Sequence, residues 1–147
     1  MGELTRGQII ELIAMNSGRG LTLRGVDLSS VDLRMLDLSD CNLEMANLSS
    51  ATLHQARLDR AIFHKARLEY ADLSEASLRS ANFREANLVG ADLRGSDLTE
   101  ADLRNTDLRN ANLRGADLTD ANLLFANIEG AKGLPADIDQ WINKEKY

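Results

Sequence analysis

Cysteine is all but missing from this sequence: Cys41 is the only one, so no intrachain disulfide can form and no thiolate cluster can hold a metal. Proline is equally scarce, with Pro135 alone, and aromatic residues make up 4% of the chain, too few to fill an ordinary globular core. No apolar run reaches the roughly 18 residues that a membrane helix needs. The apolar stretch near the start is broken by Glu11 and lacks a basic leader, so neither a signal peptide nor a membrane span is expected. Basic charge is not in excess either. The net charge is −6, and neither direct nucleic-acid binding nor membrane association is expected of a chain read as cytoplasmic.

What is present is a five-residue repeat, roughly A-(D/N)-L-x-x, which runs from Leu21 to Gly130 through twenty-two pentads without a slip in register. Let i denote the central position of each pentad. It holds nineteen Leu, the two phenylalanines Phe63 and Phe83, and Ile128. Position i−2 is Ala in fifteen pentads, and position i−1 is Asp or Asn in sixteen.

This period excludes both ordinary elements. On an α-helix a step of five rotates each leucine by about 140° from the last, which scatters the apolar groups around the axis. On a straight strand, where the side-chain period is two, it sends successive leucines to opposite faces. A short extended piece from i−2 to i survives, followed by a corner at i+1 and i+2. The chain must coil, with the small and the large apolar side chains inside and the other three positions outside.

Runs such as Ala111 to Leu123, ANLRGADLTDANL, resemble the pentapeptide-repeat proteins, including the many cyanobacterial members. The resemblance implies an all-β solenoid, a right-handed quadrilateral β-helix with twenty residues per turn. The 110 residues of the repeat would make about 5.5 coils. At the roughly 4.8 Å spacing of neighbouring strands that is a rod about 26 Å long.

The organisation expected is a capping helix over residues 1–20, the solenoid over 21–130, and an exit turn with a second capping helix over 131–147. Thr5 and Gln8 have capping-box spacing, Leu4 and Ile9 can form a hydrophobic staple, and Gly18 suits the helix end. Ile9, Ile10, Leu12, Ile13 and Met15 are expected to cover the first coil, whose i−2 residues Leu21, Val26, Val31 and Leu36 are bulkier than alanine. Pro135 is placed to open the final helix, with Ile138, Trp141 and Ile142 on one face and with Leu124 and Phe125 as its landing surface. The expected state is a monomer; an end-to-end dimer through Leu124 and Phe125 is the alternative.

The coil from Ala51 to Tyr70 departs most on its outer positions. Its i−1 residues are Thr52, Arg57, Ile62 and Arg67, and it contains both histidines, His54 and His64. Four basic residues against two acidic ones give it a net charge of +2, on a rod that is otherwise acidic. Arg57, Arg60, His64, Lys65 and Arg67 are therefore the candidate contacts for an anionic patch on an unidentified protein partner. Solvated drift at exposed positions is the competing reading. The histidines fall two sides apart with no further ligand near either, so no metal site and no cofactor are expected.

Farther along, i+1 carries Arg79, Arg84, Arg94, Arg104, Arg109 and Arg114, and i−1 carries Asp72, Asp92, Asp97, Asp102, Asp107 and Asp117. Neighbouring columns of opposite sign make a solvated ionic surface, and Asp or Asn at i−1 can bond local backbone at the turns. Glycine at i+2 suits corners that need positive φ. No nucleophile stands beside a histidine oriented by an acid, and no glycine-rich phosphate loop interrupts the register, so the chain is read as non-enzymatic. A protein-interaction module is the leading function. The alternative comes from the family resemblance: some members bind gyrase or topoisomerase IV as mimics of duplex DNA. Duplex DNA of the rod's length would carry about fifteen charges, against the net −6 here.

Overall fold

The structure is a computed structural model that describes residues 3–16 and 20–143. Helix α1 spans Arg6–Met15 and a short helix α2 spans Asp139–Ile142, with the solenoid between them. Nineteen parallel bridges join residues twenty apart, from Thr22↔Asn42 to Asn112↔Lys132, and all lie in the column of i−1 positions. Four pentads thus make one turn, and each side of the coil is a ladder one bridge wide. The Phe63 and Phe83 rings, one coil apart in the core, stack at 4.7 Å and 3° between planes, which matches the spacing of adjacent strands.

A single pentad shows why the chain repeats. In Ala71–Glu75, Ala71 N–H donates to Leu68 O across the corner at 3.0 Å, and Asp72 N–H donates back to Ala51 O at 2.9 Å. Leu73 and Glu75 donate forward to Asp92 O and Arg94 O. Ser74 N–H is left, and the Asp72 carboxylate accepts it at 3.0 Å. All five backbone donors are satisfied, and an Asp or Asn at i−1 is the group that completes the set. Each of the sixteen Asp or Asn residues at i−1 makes this bond, from Asp27 to Asn127.

The corner has a cost. Residue i+2 has positive φ in all twenty-two pentads, and seventeen of these residues are not glycine, with φ between 56° and 62°. Only the second central residue of each turn is left-handed, the pattern of a type II turn, which favours Gly or Asn. Met35, Tyr70 and Phe125 are held there against that preference, the more so because they are bulky. Burial of the inward pair offsets the strain. The i residues from Leu28 to Leu113 are at most 2% exposed, and most of the alanines at i−2 are buried with them.

The N-terminal helix begins as the sequence indicates, with Thr5 and Gln8 forming a capping box and Asn16 at its C-cap. Gly18 lies outside the described residues. Ile9 is fully buried among the leucines, and Leu4, Leu12 and Ile13 pack partly against them. Ile10 and Met15, however, stay 44% and 81% exposed, because a ten-residue helix presents only one side to the coil.

At the other end Pro135 does not open the helix. Residues 136–138 form a turn closed by Ile138 N–H to Pro135 O, and α2 follows with Ile138 as its N-cap. Ile138 is buried and Trp141 and Ile142 are half-buried, as their shared spacing suggests. The Phe125 ring is not covered: it is 59% exposed, while its N–H donates to Ile142 O at 2.9 Å. The main chain of Phe125, not its side chain, receives the C-terminal segment.

Candidate functional site

With the inward side chains and the ladder bonds common to the repeat, chemical individuality lies on the three outward positions of each pentad. Number the faces by their pentads: the first face takes those beginning at residues 21, 41, 61, 81, 101 and 121, and the second, third and fourth follow five residues apart. Over residues 21–130 their net charges are +1, −2, −1 and −4.

The candidate contacts divide among three of these faces. Arg57 and Arg60 lie on the fourth, His64 and Lys65 on the first, and Arg67 on the second, opposite Arg57. Each charged member already has an acidic neighbour. Arg57 is 3.4 Å from Asp37, Arg60 grips Asp40 through Nε and Nη2, Lys65 is 3.9 Å from Glu85, and Arg67 is 3.4 Å from Glu69 of its own pentad. His64 Nδ1 lies 3.0 Å from Arg84 O. Because this coil lacks Asp or Asn at i−1, the N–H groups of His54, Asp59, His64 and Glu69 miss the side-chain acceptor that the other coils supply. In the next coil the pentad at Ser77 lacks Asp or Asn as well, and there Asp59 of this coil supplies the acceptor, taking both Ser77 Oγ–H and Arg79 N–H.

Elsewhere the ionic columns pair within single pentads. In Asp32-Leu33-Arg34, Asp92-Leu93-Arg94, Asp102-Leu103-Arg104 and Asp107-Leu108-Arg109 the arginine folds back over the leucine and holds the aspartate through Nε and Nη2 at 2.6 to 2.9 Å. The guanidinium beside Asp32, Asp92 and Asp107 holds those carboxyls below the usual range. Among the described residues three cations have no carboxylate within salt-bridge reach: Arg84 on the first face, and Arg114 and Lys132 on the third.

One arrangement escaped the linear reading. His54, Ser74 and Asp72 come together on the third face, where His54 and Ser74 line a shallow depression with Glu75, Arg94 and Gly95. The twenty-residue spacing of His54 and Ser74 was the available signal. The polarity does not suit nucleophilic catalysis. Ser74 Oγ donates to Asp72 at 2.5 Å, and His54 Nδ1 meets that oxygen at 2.8 Å, whereas an activated serine gives its proton to a histidine that the acid orients from behind. Cys41 is fully buried, and burial pushes its thiol up to about 12, so it is not a reactive nucleophile. Among the described residues no group of acids, histidines and cysteine is arranged to hold a metal, and no helix is long and apolar enough to cross a membrane.

The comparisons with known proteins agree with the coil. No curated protein matches the chain significantly. Among solved structures, Rfr23, a pentapeptide repeat protein from the cyanobacterium Cyanothece 51142, is 27% identical over 85% of this chain and 97% of its own, with a TM-score of 0.68. The pentapeptide repeat protein alr5209 from Nostoc PCC 7120 is 29% identical over 92% of both chains, with a TM-score of 0.45. QnrB1, a plasmid-mediated fluoroquinolone resistance protein, is 21% identical with a TM-score of 0.50; the match covers 77% of this chain and 65% of that one. The family model for pentapeptide repeats matches residues 19–44, 27–64, 61–99 and 96–132 in eight copies. With the twenty-residue coil and its inward Ala and Leu columns, that match establishes that the chain belongs to the pentapeptide repeat family.

Proposed function

We propose that this protein is a non-enzymatic interaction module: a right-handed solenoid of about 5.5 coils, closed by helices at both ends, that presents rigid charged faces to a protein partner in the cytoplasm and acts as a monomer. The observation that supports this reading most is the internal bonding of the repeat: wherever Asp or Asn stands at i−1 its side chain accepts the turn N–H, as Asp72 does for Ser74, while the inward side chains fill the core. What remains free to vary is an outer surface of ionic pairs on a rigid repeat, which suits partner recognition. Arg57, Arg60, His64, Lys65 and Arg67 are proposed contacts, divided among three faces. Replacing Arg57, Arg60 and Arg67 by Glu is expected to abolish a pull-down interaction without changing thermal stability, and unchanged binding removes them from the interface.

The fourth face favours a second reading. Its net charge of −4, with Asp97 stacked over Asp117 and with Glu100 and Asp120 beside them, is the most acidic surface on the rod, and QnrB1 shares the fold. A duplex mimic of this length needs about fifteen charges, so the reading ranks second. Gyrase supercoiling with a quinolone and added protein decides it: clear rescue reverses the ranking.

A further inference from the structure

We infer that the first face carries the docking strip, and that its occupant is an acidic protein segment bearing an exposed apolar side chain. The inference rests on the interaction-module reading and names where the partner binds and what it is made of.

Charge singles out this face. It is the only side of the solenoid with a net positive charge over residues 21–130, on a chain whose total is −6. Beyond Glu44, which pairs with Arg24, its i+1 column runs His64, Arg84, Arg104 and Leu124 through four successive coils with no acid among those four. At the strand spacing of about 4.8 Å these four residues cover about 14 Å.

Arg84 is the centre of the strip. In the pentads that hold their arginine, Asp stands at i−1; here Asn82 takes that place, and its Oδ1 is already used by the N–H of Arg84. Asp102, one coil on, is gripped by Arg104 at 2.9 and 2.7 Å. Among the described residues Arg84 therefore has no carboxylate within salt-bridge reach, feeling Asp102 only at longer range, and its Nε is shut away from water without a partner. A guanidinium left in this state is under-compensated, and an incoming carboxylate that reaches its outer nitrogens supplies what the fold does not.

The strip ends in apolar surface. Leu124 is half-buried and the neighbouring Phe125 ring stands 59% exposed. Arginine beside an exposed aromatic is the composition of interface centres. A single face of charge +1 on an acidic rod cannot replace the counterions of a nucleic acid, whereas it complements a short acidic segment of a protein.

The test uses the full chain, labelled with nitrogen-15, and a synthetic probe, the capped peptide Glu-Asp-Glu-Gly-Leu-Phe, at low ionic strength. Amide shifts are expected in pentads 61–65, 81–85, 101–105 and 121–125. The doubly substituted Arg84→Gln, Arg104→Gln protein and the Phe125→Ser protein should each bind at least tenfold more weakly, and a probe with Lys for its acidic residues should not bind. Because Phe125 is exposed, its replacement keeps the test valid even if the arginine variant folds poorly. Shifts centred on Arg114 and Lys132, shifts spread over all four faces, no shifts at all, or undiminished binding by the variants would each overturn the assignment. A natural partner lost on reversing Arg57 and Arg60 but unaffected by Phe125→Ser leaves the interaction-module reading in place and removes this strip; a chain that binds no protein removes both.

Discussion

The guanidinium of Arg6 donates from Nη2 to the main-chain oxygen of Arg34 at 3.0 Å. Within the solenoid that oxygen position is filled by the N–H of residue i+2 one coil earlier, as Gly25 N–H fills Glu44 O. Arg6 Nη1 likewise donates to Asp32 O at 3.0 Å, where Leu23 N–H fills the equivalent Asn42 O in the next coil. One side chain of α1 thus stands in for two amides of a coil that does not exist, on an edge whose free carbonyls would otherwise meet water or another chain.

Replacing Arg6 by Met, which keeps the apolar stem, is therefore expected to cost about 1 kcal/mol and to lower the melting temperature by about 2–4 °C. Calorimetry of the two proteins checks it. An unchanged melting temperature shows that water serves the two carbonyls equally well.

The Asn or Asp at i−1 gives a cleaner substitution pair. Asn112 accepts from Arg114 N–H at 3.2 Å, and Asn112→Ala leaves that donor without its acceptor, at an expected cost of about 1 kcal/mol. Asn112→Asp keeps the bond and recreates the Asp-Leu-Arg pairing of the pentad at Asp92, so its stability should lie within about 0.5 kcal/mol of the parent. Urea unfolding of the three proteins measures both differences.

Two glycines with positive φ should respond differently to alanine. A Cβ on Gly25 meets nothing within 4 Å, so Gly25→Ala costs only the left-handed conformation, about 1 kcal/mol. A Cβ on Gly133 collides with the main-chain nitrogen of Arg114, which cannot swing aside, and the loss should be clearly larger. Equal losses would mean that the exit turn at residue 133 repacks.

The Asp–Arg pairs set the acid limit. Asp32, Asp92 and Asp107 have folded-state pKa values below their ordinary ones, chiefly through bonds from Arg34, Arg94 and Arg109. A depressed carboxyl stabilises the fold above its unfolded pKa, about 3.9, and that contribution is lost as pH falls through the folded value. The melting temperature should hold steady from pH 7 to about 5 and fall below about pH 4. Changing Asp92 to Asn should shallow that fall, and an unaltered acid limb would mean the pair does not titrate with unfolding.

Much of the fold could be read from the period, because the identity of position i alone fixes which side chains turn inward. Leu73 and Ala71 are buried for that reason. The Asp and Asn bonds to the turns were legible too, since the side chain is short and the donor only two residues away. Contacts across coils were harder. Residues 57 to 67 are near in sequence yet spread over three faces, because the chain turns a corner every five residues, while His54 and Ser74 meet although twenty residues separate them. The two ends were legible only in part. Thr5 and Gln8 announce α1, but nothing in the repeat signals that Arg6 would serve carbonyls twenty-six and twenty-eight residues away. At the exit, the three-residue bonds after Pro135 displaced the helix start toward Asp139.

Everything assigned to a face depends on a rise of one strand spacing for every twenty residues. Pulsed electron resonance between spin labels on Cys substituted at Ser29 and Arg109, and separately at Ser29 and Glu129, in a Cys41→Ala background, measures that rise directly. Four and five coils at about 4.8 Å predict mean separations near 19 and 24 Å, with narrow distributions. Separations that do not lengthen by about one strand spacing between the two pairs would contradict the stacked coil and the faces drawn on it.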